Sequence, residues 1–226
     1  PKMMNIPGEN LNGVYSANEF LTRVNLMGAD GKDAVTPLRV GKAAAVIGGG
    51  NVAMDAARTA VRVGFEKVYI VYRRTEAELP ARLEEIRHAK EEGVIFQFLH
   101  APVEIYNKDG YAAGMKFEIM ELGEPDESGR RKPVGTGRYT DLDVDSVIVA
   151  LGTGPNPIIQ KSAHLDGLDF ELDSKGYFTV NPETRETSIP AIFAGGDVAP
   201  VGTSNAINAM GAGKKAAKAI NEYLRQ

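Results

Sequence analysis

No cysteine occurs in the 226 residues. Disulfides, a thiol nucleophile and cysteine-held iron–sulfur clusters are therefore excluded from this chain. Histidine is scarce: His88, His100 and His164 are widely spaced and form no metal-ligand pattern, so each reads as a surface or packing residue and no metal site is expected. Excess charge is also lacking. The net charge of −4 favours neither nucleic acid nor a polybasic membrane contact. No run approaches the ~20 apolar residues of a membrane span, and no signal peptide is visible, which makes a cytoplasmic location the default. Hydrophobic residues make up 43% of the chain, and its length suits one large or two small domains.

What is present is concentrated between Ala43 and Arg74. A short apolar run, Ala43 to Ile47, leads into Gly48-Gly49-Gly50-Asn51-Val52-Ala53, a G-x-G-x-x-A turn. Val52, Ala53, Ala56, Ala57, Ala60 and Val63 then recur at helical spacing until Gly64, and a second apolar run, Val68 to Tyr72, ends in Arg73-Arg74. Strand, glycine turn, helix and strand follow in the order of a dinucleotide-binding βαβ unit. Gly48 permits the tight turn, Gly50 lets a pyrophosphate approach the backbone, and Ala53 lets the helix lie close on the sheet. The phosphates would meet unpaired N–H groups at the positive end of the helix dipole. The alternative is a glycine-rich turn in an ordinary α/β unit.

The end of the second strand points to the cofactor. An NAD site usually has Asp or Glu about 20 residues past the glycines, for the ribose hydroxyls. Arg73 and Arg74 stand there instead, and guanidinium groups suit a 2′-phosphate. NADP is expected rather than NAD. The competing reading is a solvated basic pair, which Glu76 and Glu78 nearby keep open.

Elsewhere the pattern is α/β. Ser16-Ala17-Asn18-Glu19 is a capping box with Tyr15 and Phe20 as a staple, and it predicts a helix to about Asn25. A charged helix is expected over 80–92, with Pro80 in its first turn. Its Glu84 and Glu85 read as solvated i,i+4 partners rather than as a general base. Val94 to Leu99 is a third parallel strand. Val103–Tyr106, Met115–Ile119 and Tyr139–Leu142 read as antiparallel strands, with Glu121–Gly137 as a polar loop. Val147 to Ala150 returns to the parallel sheet and ends in Leu151-Gly152-Thr153-Gly154. Leu168–Leu172 and Tyr177–Val180 read as a hairpin, Ile189–Ala194 as a strand needing sheet neighbours, and Ser204–Leu224 as a helix. Asp197, just after that strand, can accept from a sugar-like hydroxyl.

Taken together, these stretches resemble the NADPH-dependent glutamate synthase small (β) chain and related oxidoreductases. The resemblance rests on IPGENLNGVYSANEFL, VIGGGNVAMDAAR, VYRR with TEAELPAR and HAKEEGV, VIVALGTGPNP, and TSIPAIFAGGDV with its following helix. It covers nearly the whole chain. It implies a Rossmann-like NAD(P)-binding domain, a parallel sheet with a β-meander, within the tandem two-dinucleotide flavoprotein fold. The C-terminal portion of the FAD domain would follow. The implied divisions are a linker with a short helix over 1–40, the NADP-binding domain over 41–157, and the FAD-domain portion over 158–226.

The resemblance also implies site residues. Gly48, Gly49, Gly50, Asn51, Val52 and Ala53 would cradle the NADPH pyrophosphate. Arg73 and Arg74 would hold the 2′-phosphate, and Ala150, Leu151 and Gly152 would line the nicotinamide side. Gly196, Asp197, Thr203 and Ser204 would face FAD. No side chain need act as acid or base, so no catalytic residue is expected.

Complete members carry an iron–sulfur region and a first FAD fingerprint before the stretch matched here. The chain begins at Pro1, and we expect a C-terminal fragment, inactive and without stoichiometric FAD by itself, whose iron–sulfur cluster belongs to the absent region. The expected partner is the glutamate synthase large subunit or another electron-accepting subunit; a homodimer could supply missing sheet neighbours. A ferredoxin:NADP or sulfide-type oxidoreductase subunit of the same family shares these motifs, and two other readings remain. A self-contained NADP dehydrogenase needs a proton-transfer residue, and none stands out. A non-catalytic dinucleotide-binding module needs none.

Overall fold

Five consecutive small or β-branched residues, Ala43–Ile47, form β2, and all five are buried. Side chains alternate across a strand. Ala44 and Val46 therefore face one core, and Ala43, Ala45 and Ile47 face another. A strand buried on both faces needs a layer on each side, and the fold supplies them.

In the computed structural model, residues 1–31, 33–125, 129–200, 202 and 205–225 are described. The chain divides into two compact units, Pro1–Gly152 and Thr153–Gln226.

In the first unit, β1 (Val14–Ser16) leads into α1 (Ala17–Asn25), β2 into α2 (Asn51–Val63), and β3 (Lys67–Tyr72) through a 3-10 turn (Glu76–Glu78) into α3 (Leu83–Glu91). After β4 (Ile95–Phe98) come β5 (His100–Lys108), β6 (Tyr111–Pro125), β7 (Arg131–Leu142) and β8 (Ser146–Val149). The order β1-β8-β2-β3-β4 makes a five-stranded sheet, parallel throughout. On one face α1, α2 and α3 bury Phe20, Met54, Ala57, Ala60 and Ile86 against Val46, Ile70 and Ile148. On the other, the antiparallel β5-β6-β7 meander buries Ile105, Met115 and Phe117 against Ala45, Val147 and Val149.

Local signals explain the element ends. Ser16 caps α1 by accepting from the Glu19 N–H at 3.1 Å, and Tyr15 meets Phe20 with ring centroids 6.3 Å apart. Gly64 ends α2 in the left-handed region, its N–H bonding back to Ala60 and Val61.

The meander differs from the expected polar loop over 121–137. β6 runs on to Pro125 and β7 starts at Arg131, paired through Met120–Gly135 and Pro125–Arg131. Both faces of this outer ladder are largely exposed, so no apolar alternation marks it in the sequence.

The second unit contains α4 (Ile158–Leu165) and α5 (Ala206–Tyr223). Between them Leu172 bridges Phe178, the hairpin expected around Asp173–Gly176. The strand expected over Ile189–Ala194 is reduced to one bridge, Glu186 to Phe193. Pro190 has no N–H to donate, and Ala191 at φ 65° turns the chain out of the extended region. Among the described residues, no helix is long and apolar enough to cross a membrane.

Phe20 is fully buried in the helix-side core. Phe20→Ala is expected to lower stability by about 3–5 kcal/mol in urea unfolding. A change below about 1 kcal/mol would show that α1 does not belong to that core.

Candidate dinucleotide site

The carboxyl ends of β2, β3 and β8 converge at the glycine turn. Ile47 accepts from the Ala150 N–H at 2.8 Å, and the Gly48 N–H reaches Val71 at 3.1 Å. The first bond draws the exits of β2 and β8 together, and the second ties the exit of β2 to β3. A Cβ at Gly48 would stand 2.4 Å from the Ala150 carbonyl oxygen, and φ there is +146°, so only glycine fits. At Gly49 a Cβ would meet Leu79 at 2.7 Å and Tyr72 at 2.8 Å.

Gly50 is different. Its φ of −89° suits any residue, and a Cβ built there meets no protein atom within 4 Å. Packing within the chain does not require glycine at this position; a side chain would enter open space. Gly50 is also the N-cap of α2, without a side-chain cap, and the first turn has no acidic residue. The positive end of the helix dipole therefore faces that space uncompensated from within its own helix.

The space is a cleft of about 780 Å³, lined by Gly48 to Val52, Arg73, Arg74 and Ala150 to Gly152. Ten of the residues named from the sequence thus come together. Ala53 lies beneath the turn, fully buried, as close helix–sheet packing requires. Lys2, His100 and Arg130 also line the cleft. None of these three carries a local sequence signal: they arrive from the amino-terminal segment, the β4–β5 junction and the meander. Among the described lining residues, Lys2, Arg73, Arg74 and Arg130 are basic and none is acidic.

The two arginines after β3 have different surroundings. Arg73 is exposed. Arg74 is only 6% exposed, and its Nε donates to the Arg131 carbonyl at 2.7 Å. Arg131 Nε in turn donates to Glu78 Oε1 at 2.7 Å. The Glu78 carboxyl is held below its usual range, first by the Thr75 hydroxyl and then by Arg131, against the opposing effect of burial. Thr75 and Glu78 form a reciprocal capping box.

The following segment is tied to the glycine turn. The Ala81 N–H reaches the Gly49 carbonyl at 3.2 Å, and the Arg82 N–H reaches Asn51 Oδ1 at 2.9 Å. These bonds keep Pro80 out of the helix expected over 80–92, and α3 begins only at Leu83, with Arg82 as its N-cap. Glu85 and Glu92 each meet Arg58 at 2.8 Å, so Glu85 pairs across to α2 rather than with an i,i+4 partner on its own helix.

In the second unit, Gly196 and Asp197 form a 3-10 turn, with Asp197 exposed. A Cβ at neighbouring Gly195 would stand 3.2 Å from the Ala212 Cβ on α5, which explains the small residues there. The start of α5 is capped by Asn205, which accepts from the Asn208 N–H at 2.8 Å. Thr203 and Ser204 lie outside the described residues.

Comparison with known proteins places the family and the fold. The sequence profile for pyridine nucleotide-disulphide oxidoreductases matches residues 1–213. The NADP(+)-dependent formate dehydrogenase subunit beta of Moorella thermoacetica is 44% identical over 84% of this chain and 26% of its own length. The glutamate synthase [NADPH] small chain of Escherichia coli K12 is 37% identical over 97% of this chain and 47% of its own. The chain thus spans half or less of the length of these relatives. Mycobacterium tuberculosis FprA, solved in complex with NADPH, superposes with a TM-score of 0.73 at 22% identity, covering 99% of this chain and 61% of FprA. The α/β fold with a parallel sheet and the resemblance to glutamate synthase small chains are both as expected.

The glycines differ in what they answer to. Gly48→Ala should cost at least about 2 kcal/mol, from the strained φ and the overlap with Ala150. Gly50→Ala should cost less than about 1 kcal/mol. Urea midpoints of the two variants test this; equal losses would contradict the assignment of Gly48 to packing and Gly50 to the open cleft.

Proposed function

The chain belongs to the pyridine nucleotide-disulphide oxidoreductase family, and from that premise we propose that it is the NADPH-binding part of an electron-input subunit. The observation that carries this reading is the pairing of Gly50, which leaves space at the start of α2, with exposed Arg73 in the same cationic cleft. A dinucleotide pyrophosphate fits that space, because its charge meets the N–H groups of the first helical turn. The Arg73 guanidinium then accommodates a 2′-phosphate through charge-assisted bonds. Ala150, Leu151 and Gly152 line the nicotinamide side of the same cleft.

When bound, NADPH supplies a hydride. The residues of this chain hold and orient it, and none acts as acid or base. In the second unit the exposed Asp197 carboxylate would accept from a flavin ribityl hydroxyl, and FAD, when bound, would supply the hydride acceptor. A partner subunit would receive the electrons. The glutamate synthase small chain and the formate dehydrogenase subunit suggest two alternatives: a glutamate synthase large subunit, or another electron-accepting subunit of the same kind.

Arg73→Ala is expected to weaken NADPH by roughly ten- to a hundredfold, while NADH binding changes little. Gly50→Val should abolish binding of both, with cooperative unfolding retained. Calorimetric titration of the purified chain checks each. Equal loss of NADPH and NADH in Arg73→Ala, or native binding by Gly50→Val, would refute the reading.

A further inference from the structure

The outer meander is held in an unusual way. The inner part of β6 buries Met115 and Phe117 against the sheet, but the ladder continues to Pro125–Arg131 with mostly exposed side chains. Apolar burial does not explain the position of its outer end. Two polar contacts converge on Arg131 instead: its carbonyl accepts from Arg74 Nε, and its own Nε donates to Glu78, both at 2.7 Å. Glu78 is 6% exposed and is itself fixed by Thr75. The hairpin end is thereby fastened at the carboxyl end of β3, beside Arg73. The next residue along the hairpin, Arg130, lines the cleft.

The geometry points to Arg130 as a further specificity residue, delivered by the β6–β7 hairpin to the 2′-phosphate end of the cleft. Glu78 and Arg131 are the positioning residues that hold it there. This rests on the reading of the cleft as an NADPH site and deepens it. The placement favours the 2′-phosphate over the pyrophosphate. Arg131 is bonded to Arg74 at the end of β3, whereas the pyrophosphate position lies at Gly50 and the start of α2. A phosphate monoester carries close to two negative charges at neutral pH, and guanidinium forks from two different elements can bond its oxygens from two directions. Arg74 braces the hairpin through its bond to the Arg131 carbonyl.

The test uses two fragments of the cofactor, 2′,5′-ADP, which carries the 2′-phosphate, and 5′-AMP, which lacks it. Each is titrated calorimetrically into the wild-type chain and into Arg130→Ala, Arg73→Ala and Glu78→Gln. Arg130→Ala should weaken 2′,5′-ADP by about tenfold and leave 5′-AMP within about twofold. Glu78→Gln should shift the same ratio in the same direction by a smaller factor, because it loosens the hold on Arg131. If Arg130→Ala retains the wild-type preference while Arg73→Ala loses it, the hairpin role is overturned and the NADPH reading stands. Equal weakening of both ligands in Arg130→Ala also overturns the hairpin role. A wild-type chain that does not distinguish the two ligands overturns the NADPH reading and the hairpin role together.

Discussion

The approach of Gly48 to the carbonyl of Ala150 is the constraint on which the cleft depends. The Ala150 N–H bonds Ile47 at 2.8 Å, so two parallel strands leave the sheet side by side. Only a residue without Cβ passes at that separation. Because the chain must turn there, α2 starts at the carboxyl end of the central strand, with its first N–H groups facing the cleft. The positions of Arg73 and of Ala150 to Gly152 follow, since β3 and β8 flank β2 in register. The cleft is therefore a consequence of sheet topology: ligands of open α/β sheets sit beyond the carboxyl strand ends.

A second set of contacts turns an open edge into a walled cleft. Thr75 to Arg82 crosses above the glycine turn, bonded to Gly49 and to the Asn51 side chain. Glu78 joins this segment to the hairpin through Arg131, and Arg74 joins the hairpin to the sheet. Glu78 and Arg74 are both largely buried. Losing one partner of such a contact costs more than a surface ion pair would, because the remaining group stays desolvated. The charges near the cleft thus divide into those that build its wall and those exposed to a ligand.

Much of this was legible in the sequence because its signals are local. The βαβ unit declares itself through two apolar runs, a G-x-G-x-x-A turn and helical spacing of alanines over about 30 residues. The α1 capping box is equally local. What could not be read depends on distant contacts. Arg73 and Arg74 are adjacent and chemically identical in the sequence, yet one is exposed and the other bonds Arg131, 57 residues away. Arg130 and Lys2 reach the cleft from elements whose own patterns carry no phosphate signal. The outer hairpin looks like a loop in the sequence because a ladder exposed on both faces has no apolar side to alternate. Pro80 suggested a helix start, but bonds from Ala81 and Arg82 to the glycine turn delay the helix to Leu83.

The central claim is that the open space at Gly50 and the exposed Arg73 belong to one NADP site. The most direct measurement is an NADP⁺ titration of the ¹⁵N-labelled 226-residue chain, followed by amide NMR. The account predicts the largest shifts at Gly50, Asn51 and Val52, with a second group at Arg73 and Arg74. Shifts centred on the opposite end of the strands, near Lys42, Glu66 and Asp143, would contradict it.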